Sequence, residues 1–162
     1  MIRVRGFQLG DLEDLAALDR LCFEPGISYT RSELRFHVTH PGGATFVAES
    51  DGRLSGFIVG RAESATAGHV ITIDVFPDAR RKGVGTALLS ALHEDFSARQ
   101  LQVIYLEVDR SNLGAGAFYR GLGYTWLETL EDYYGPGRDA DRLVCVLDPD
   151  PSISTASGGK CR

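Results

Sequence analysis

Two clusters in this 162-residue chain have the residue types and spacing to do chemistry. The first is Arg80-Arg81-Lys82-Gly83-Val84-Gly85-Thr86, which follows Pro77 and opens a segment whose apolar residues recur at helical spacing. A helix start leaves several backbone N–H groups unpaired and carries partial positive charge. Glycines at 83 and 85 remove Cβ atoms that would keep a phosphate from those donors. Three consecutive cations add local attraction, so the segment suits a polyphosphate; a basic turn with a glycine-permitted bend is the plainer alternative. Neither the G-x-x-x-x-G-K-[ST] loop nor the G-x-G-x-x-G dinucleotide fingerprint occurs here. The second cluster is Leu106-Glu107-Val108-Asp109-Arg110-Ser111-Asn112, with Tyr119 downstream. Taken singly, Glu107 fits a strand-edge carboxylate facing water, and Tyr119 fits a half-buried core tyrosine.

The elements that must position these residues follow from periodicity. Residues 2–7 alternate like a strand, and Asp11 is placed to cap a helix carrying Leu12, Leu15, Leu18 and Leu21. Thr30-Arg31-Ser32-Glu33 reads as a capping box opening a second helix to about His40. Strands over 45–49 and 54–61 are joined by Ser50-Asp51-Gly52-Arg53, a hairpin signal. A strand from His69 to Phe76 leads to a helix over 83–96, then a strand over 101–108 and a short helix over 112–120. Two strands, near 124–130 and 142–147, complete the order β-α-α-β-β-β-α-β-α-β-β. That order predicts an α+β domain over residues 1–148, with a mixed, mostly antiparallel sheet flanked by helices. The tail, 149–162, is rich in Ser, Gly and Pro and is expected to be disordered.

Composition narrows the class. Lys and Arg total 17 against 22 Asp and Glu, a formal charge of −5, which argues against a broad basic surface for nucleic acid. The chain has no apolar run long enough to span a bilayer and no signal-peptide pattern at its start, so a cytoplasmic protein is expected. Cys22, Cys145 and Cys161 are widely separated without Cys-x-x-Cys spacing; the first two sit at apolar positions and read as small core residues. His37 and His40 lack accompanying metal ligands and read as a solvated face, so no metal is expected.

Arg-x-x-Gly-x-Gly between a strand and a helix resembles the acetyl-coenzyme A loop of the GNAT N-acetyltransferases. Ile73-Asp74-Val75 with Pro77 looks like that family's fourth strand, which diverges from the fifth around acetyl-CoA. The stretch from Leu106-Glu107-Val108 through Asn112 and Phe118-Tyr119 to Leu122-Gly123-Tyr124 is similar to the RimI-like protein N-terminal acetyltransferases within that family. The resemblance implies acetyl-CoA as cofactor, held by Ile73, Asp74, Val75, Arg80, Arg81, Lys82, Gly83, Val84, Gly85, Thr86 and Asn112. It implies Glu107 as the base that takes the acceptor amine's proton and Tyr119 as the acid for the leaving thiolate, roles that suit a carboxylate and a phenol. A backbone N–H near Val75 would meet the acetyl carbonyl. Asp74 departs from the small residue usual at its position, and Gly114 and Gly116 loosen the helix bearing Tyr119.

For the acceptor, the resemblance points to Ile27 and Tyr29 between the first two helices and to Tyr133 and Tyr134 before the last strand. Tyrosines so placed can line the path of a peptide backbone; ordinary turn tyrosines are the alternative. His69 reads as a surface histidine, with a share in proton transfer as the other possibility. The expected activity is acetyl transfer to a primary amine by direct attack in a ternary complex, with a protein N-terminus as acceptor and the chain acting as monomer or homodimer, without DNA or membrane. A small-molecule amine, a lysine side chain, or a silent coenzyme A sensor are the rival assignments.

Overall fold

The computed structural model describes residues 1–147; the expected tail, with Cys161, lies outside the described residues. Within them the elements follow in the expected order: β1 (Ile2–Gly6), α1 (Leu12–Cys22), α2 (Arg31–Val38), β2 (Gly43–Ser50), β3 (Arg53–Ala62), β4 (Ala67–Val75), α3 (Val84–Ala98), β5 (Val103–Asp109), α4 (Leu113–Gly121), β6 (Thr125–Leu130) and β7 (Ala140–Val146). The sheet has seven strands in the order β1-β2-β3-β4-β5-β7-β6. The pairs β1–β2, β2–β3, β5–β7 and β6–β7 are antiparallel. Between β4 and β5 the pairing is parallel, from Ala67 opposite Val103 to His69 opposite Tyr105. No described helix is long and apolar enough to cross a membrane.

The chain divides into two compact units, Met1–Arg61 with Ile71–Asp95, and Ala62–Val70 with the chain from Phe96. In the first, Leu12, Leu15, Ala16 and Leu18 form one buried face of α1, the spacing that a 3.6-residue period requires. They pack in a cluster with Leu34, Val47, Phe57 and Val59. Asp11 does not cap α1 through its side chain. Its carboxylate serves the preceding 3-10 turn instead, accepting from the Gln8 N–H at 2.8 Å and from Arg5 through two bonds of 2.9 Å. The capping box on α2 forms as expected: Glu33 N–H donates to Thr30 Oγ1 at 3.2 Å, and Thr30 N–H to Glu33 Oε2 at 2.7 Å. Asp51 and Gly52 both take positive φ (52° and 76°), the type I′ geometry that suits a two-residue hairpin.

In the second unit, β5 alternates buried Ile104, Leu106 and Val108 with half-buried Tyr105 and Glu107. Cys145 on β7 is buried, as its apolar position suggests. Gly68 is required by close packing: a Cβ there would lie 2.3 Å from the Phe96 ring. A register shift between Trp126 and Glu128 sets Glu128, not Leu127, opposite Arg142.

Candidate active site

In the first unit, β4 ends at Val75 and a single 3-10 turn, Pro77–Ala79, leads into the glycine-rich segment. The helical ladder of α3 opens with the bond from Ala87 N–H to the Gly83 carbonyl at 3.0 Å. The N–H groups of Val84, Gly85 and Thr86 therefore precede the helical ladder. Gly83 has φ +89°, which glycine alone adopts readily, and a Cβ there would stand in otherwise open space beside Ile2. Arg81 also takes positive φ (59°), a conformation that costs a non-glycine residue about 1–2 kcal/mol. Arg80, Arg81 and Lys82 are all exposed, and Arg80 Nε donates to the Val75 carbonyl at 3.1 Å. One of the three consecutive cations thus also braces the strand end.

Ile73 and Val75 alternate with buried Thr72 and Asp74. The Asp74 side chain is directed inward, where Thr72 Oγ1 donates to it at 2.6 Å. Only its main chain remains to meet a ligand. Ile27 and Tyr29 lie in the α1–α2 connection, half-buried. The Tyr29 N–H donates to Asp19 Oδ2 at 2.6 Å, and its ring sits 4.9 Å from that of His37.

In the second unit, four strands bring a row of side chains together. The Glu107 side chain on β5, 7% exposed, accepts from His69 Nε2 on β4 at 2.6 Å and from Arg142 Nη2 on β7 at 3.0 Å. Arg142 also pairs with Glu128 on β6, and His69 Nδ1 lies 3.4 Å from Glu63. The His69 ring stacks on Tyr105 at 4.4 Å, and the Arg142 guanidinium lies 5.5 Å from the same ring. Burial alone would raise the Glu107 carboxyl; the bonds from His69 and Arg142 outweigh it and hold the group below its ordinary value. An ionised carboxylate only accepts, so His69 Nε2 carries the hydrogen of that bond.

Tyr133 is half-exposed, and burial followed by the Glu107 charge pushes its phenol up. Its ring meets that of Tyr134 edge-on at 4.9 Å. Tyr119 is buried on α4, with ring contacts to Phe118 and Tyr124. Asn112 caps α4: its Oδ1 accepts from Ala115 N–H at 3.1 Å. That cap uses the amide oxygen and not the amide N–H pair.

The family model for the acetyltransferase (GNAT) family matches residues 12–124. The chain belongs to the GNAT acetyltransferase family. This acetyltransferase is 34% identical over 163 residues to an N-alpha-acetyltransferase of Sulfurisphaera tokodaii, covering 90% of this chain and 93% of that one. It is 32% identical over 106 residues to the ribosomal protein bS18-alanine N-acetyltransferase of Escherichia coli, covering 63% and 69%. The fold matches Ard1 from Thermoplasma volcanium with a TM-score of 0.81 and 26% identity, over 90% of this chain and 97% of that structure.

The expectations for two histidines are corrected by this geometry: His37 is not on a solvated face, since its Nδ1 is buried and its ring packs against Tyr29 and Phe36. His69 is not a surface histidine: its side chain is 16% exposed and bonded to Glu107. Arg142 had no signal beyond a cation in the last strand, and its partnership with Glu107 depends on the β5–β7 register, in which the two stand opposite.

Proposed function

We propose that this acetyltransferase moves acetyl from acetyl-CoA to the α-amine of a protein or peptide N-terminus, by direct attack in a ternary complex. The observation that carries this reading is the state of Glu107, buried yet held ionised by His69 and Arg142. A carboxylate held low is a weak base. It can receive a proton as the C–N bond forms, but it cannot compensate for an acceptor that is almost wholly cationic. An α-amine, with a pKa of about 7.7–8.0, offers several hundredfold more free base near neutrality than a lysine at about 10.4. The α-amine is the acceptor that such a base suits, and the names of the relatives above agree with it.

Acetyl-CoA supplies a thioester as the acetyl source. The N–H groups of Val84, Gly85 and Thr86, with exposed Arg81 and Lys82, would hold its pyrophosphate, and the open position at Gly83 fits a close backbone approach. Arg80, held to the Val75 carbonyl, fixes the strand end whose Val75 N–H would polarise the thioester carbonyl. Asn112 keeps its amide N–H pair for the same ligand. Glu107 takes the amine proton and Tyr119 delivers one to the departing sulfur. Ile27 and Tyr29, with Tyr133 and Tyr134, would line the peptide. We assign the reaction to the cytoplasm.

The test is thiol release from acetyl-CoA with three acceptor classes: peptides with a free α-amine, lysine peptides with blocked N-termini, and small amines. The free-α-amine peptides should turn over at least about a hundredfold faster than the blocked lysine peptides. Equal or greater release with blocked lysine peptides or small amines would sink the assignment.

A further inference from the structure

The end of β4 carries a carboxyl that no step above uses. Asp74 is 1% exposed, and Asp19, from α1, is fully buried. Each has one oxygen engaged by a donor, Asp74 Oδ1 by Thr72 and Asp19 Oδ2 by the Tyr29 N–H. The other two oxygens, Asp19 Oδ1 and Asp74 Oδ2, are buried with no hydrogen-bond partner. The two carboxyls lie where α1 meets the end of β4, close enough for each to act on the other. Two carboxylates contain no donor, and two bare charges at this depth would suffer desolvation and mutual repulsion together. A single proton on either orphaned oxygen supplies the missing bond and removes one charge.

We propose that Asp19 and Asp74 share one proton and act as a positioning pair, fixing the Tyr29 backbone to the strand end at Val75. The pair therefore sets the acceptor segment against the strand that meets the thioester; this rests on the acceptor reading of Ile27 and Tyr29 given above. A second contact runs alongside, since Cys22 Sγ on α1 lies 3.6 Å from the Val75 carbonyl. The charged and titratable groups facing the pair are Arg20 and Cys22 on α1, Glu33 on α2, and Arg80 after β4. Burial pushes both carboxyls up, Asp74 well above the usual carboxylate range. The latch is intact while the proton stays and loosens as pH rises through the raised value.

The test combines NMR of isotope-labelled aspartate carboxyls with steady-state kinetics on the full chain. In the parent, one aspartate carboxyl should stay protonated through neutral pH. In Asp19→Asn the amide oxygen still accepts from Tyr29 and the amide N–H donates to Asp74, so the contact survives without a shared proton and the Asp74 titration moves down. Asp19→Ala should raise KM for the peptide about tenfold, with kcat and KM for acetyl-CoA within about twofold. Asp19→Asn should restore the peptide KM and abolish its rise at alkaline pH. Where Asp19→Ala fails to fold, the parent and Asp19→Asn pH profiles decide alone. All aspartates titrating in the ordinary range would overturn the shared proton, a result that needs no acceptor and so stands apart from the acceptor assignment. Equal rises in both KM values, or no rescue by Asn, would overturn the positioning role.

Discussion

Replacing Arg142 with Met keeps much of the side-chain volume and removes one of the two groups that hold Glu107 ionised. A hydrogen bond to a charged group contributes about 1.5–3 kcal/mol. Arg142 is 28% exposed, so water already screens part of its charge and the lower end applies, about 1.5 kcal/mol. At 1.36 kcal/mol per pKa unit, Glu107 should move up by about one unit. The sign follows from its folded value lying below the unfolded one. The stabilisation from ionised Glu107 is fully present above the unfolded value, about pH 4.3, and is lost as pH falls through the folded value. Urea unfolding of parent and Arg142→Met should differ by about 1.5 kcal/mol at pH 7, and the difference should shrink below about pH 4. The acid limb of kcat/KM should shift upward by about one unit in the same variant. A stability difference that stays constant from pH 7 to pH 3.5 would refute the view that Arg142 acts on the carboxylate.

Tyr119→Phe should lower kcat about a hundredfold or more, the usual worth of a positioned acid, with little change in KM for acetyl-CoA; unaltered turnover would remove Tyr119 from the reaction. Reversing Arg81 and Lys82 to Glu should weaken acetyl-CoA binding at least about tenfold by calorimetry, with the loss diminished at high salt. Unchanged affinity would show that the pyrophosphate lies elsewhere.

The order of strands and helices was legible because each element has a local cause: the α1 apolar spacing, the Thr30–Glu33 box, and Asp51-Gly52 at the hairpin. The glycine-rich start of α3 was legible for the same reason, since its donors and its positive φ at Gly83 are properties of a few adjacent residues. What escaped were partnerships across distance in the chain. His69 and Glu107 stand 38 positions apart, and Glu107 and Arg142 stand 35 apart. Only strand register brings them together, and a shift of one residue would turn Arg142 to the other face. Asp74 stood out in the sequence as an oddity, and its reason lies on α1, in a second acid that no local pattern marks. Arg80 likewise looked like one of three equivalent cations until its bond to Val75 set it apart.

Transfer of acetyl to an N-terminal α-amine can be tested in one competition. A peptide bearing both a free α-amine and an internal lysine is incubated with the protein and acetyl-CoA, and tandem mass spectrometry locates the added acetyl group. Acetyl is expected on the α-amine, with the lysine unmodified until the α-amine is consumed. Acetyl found first on the lysine would contradict it.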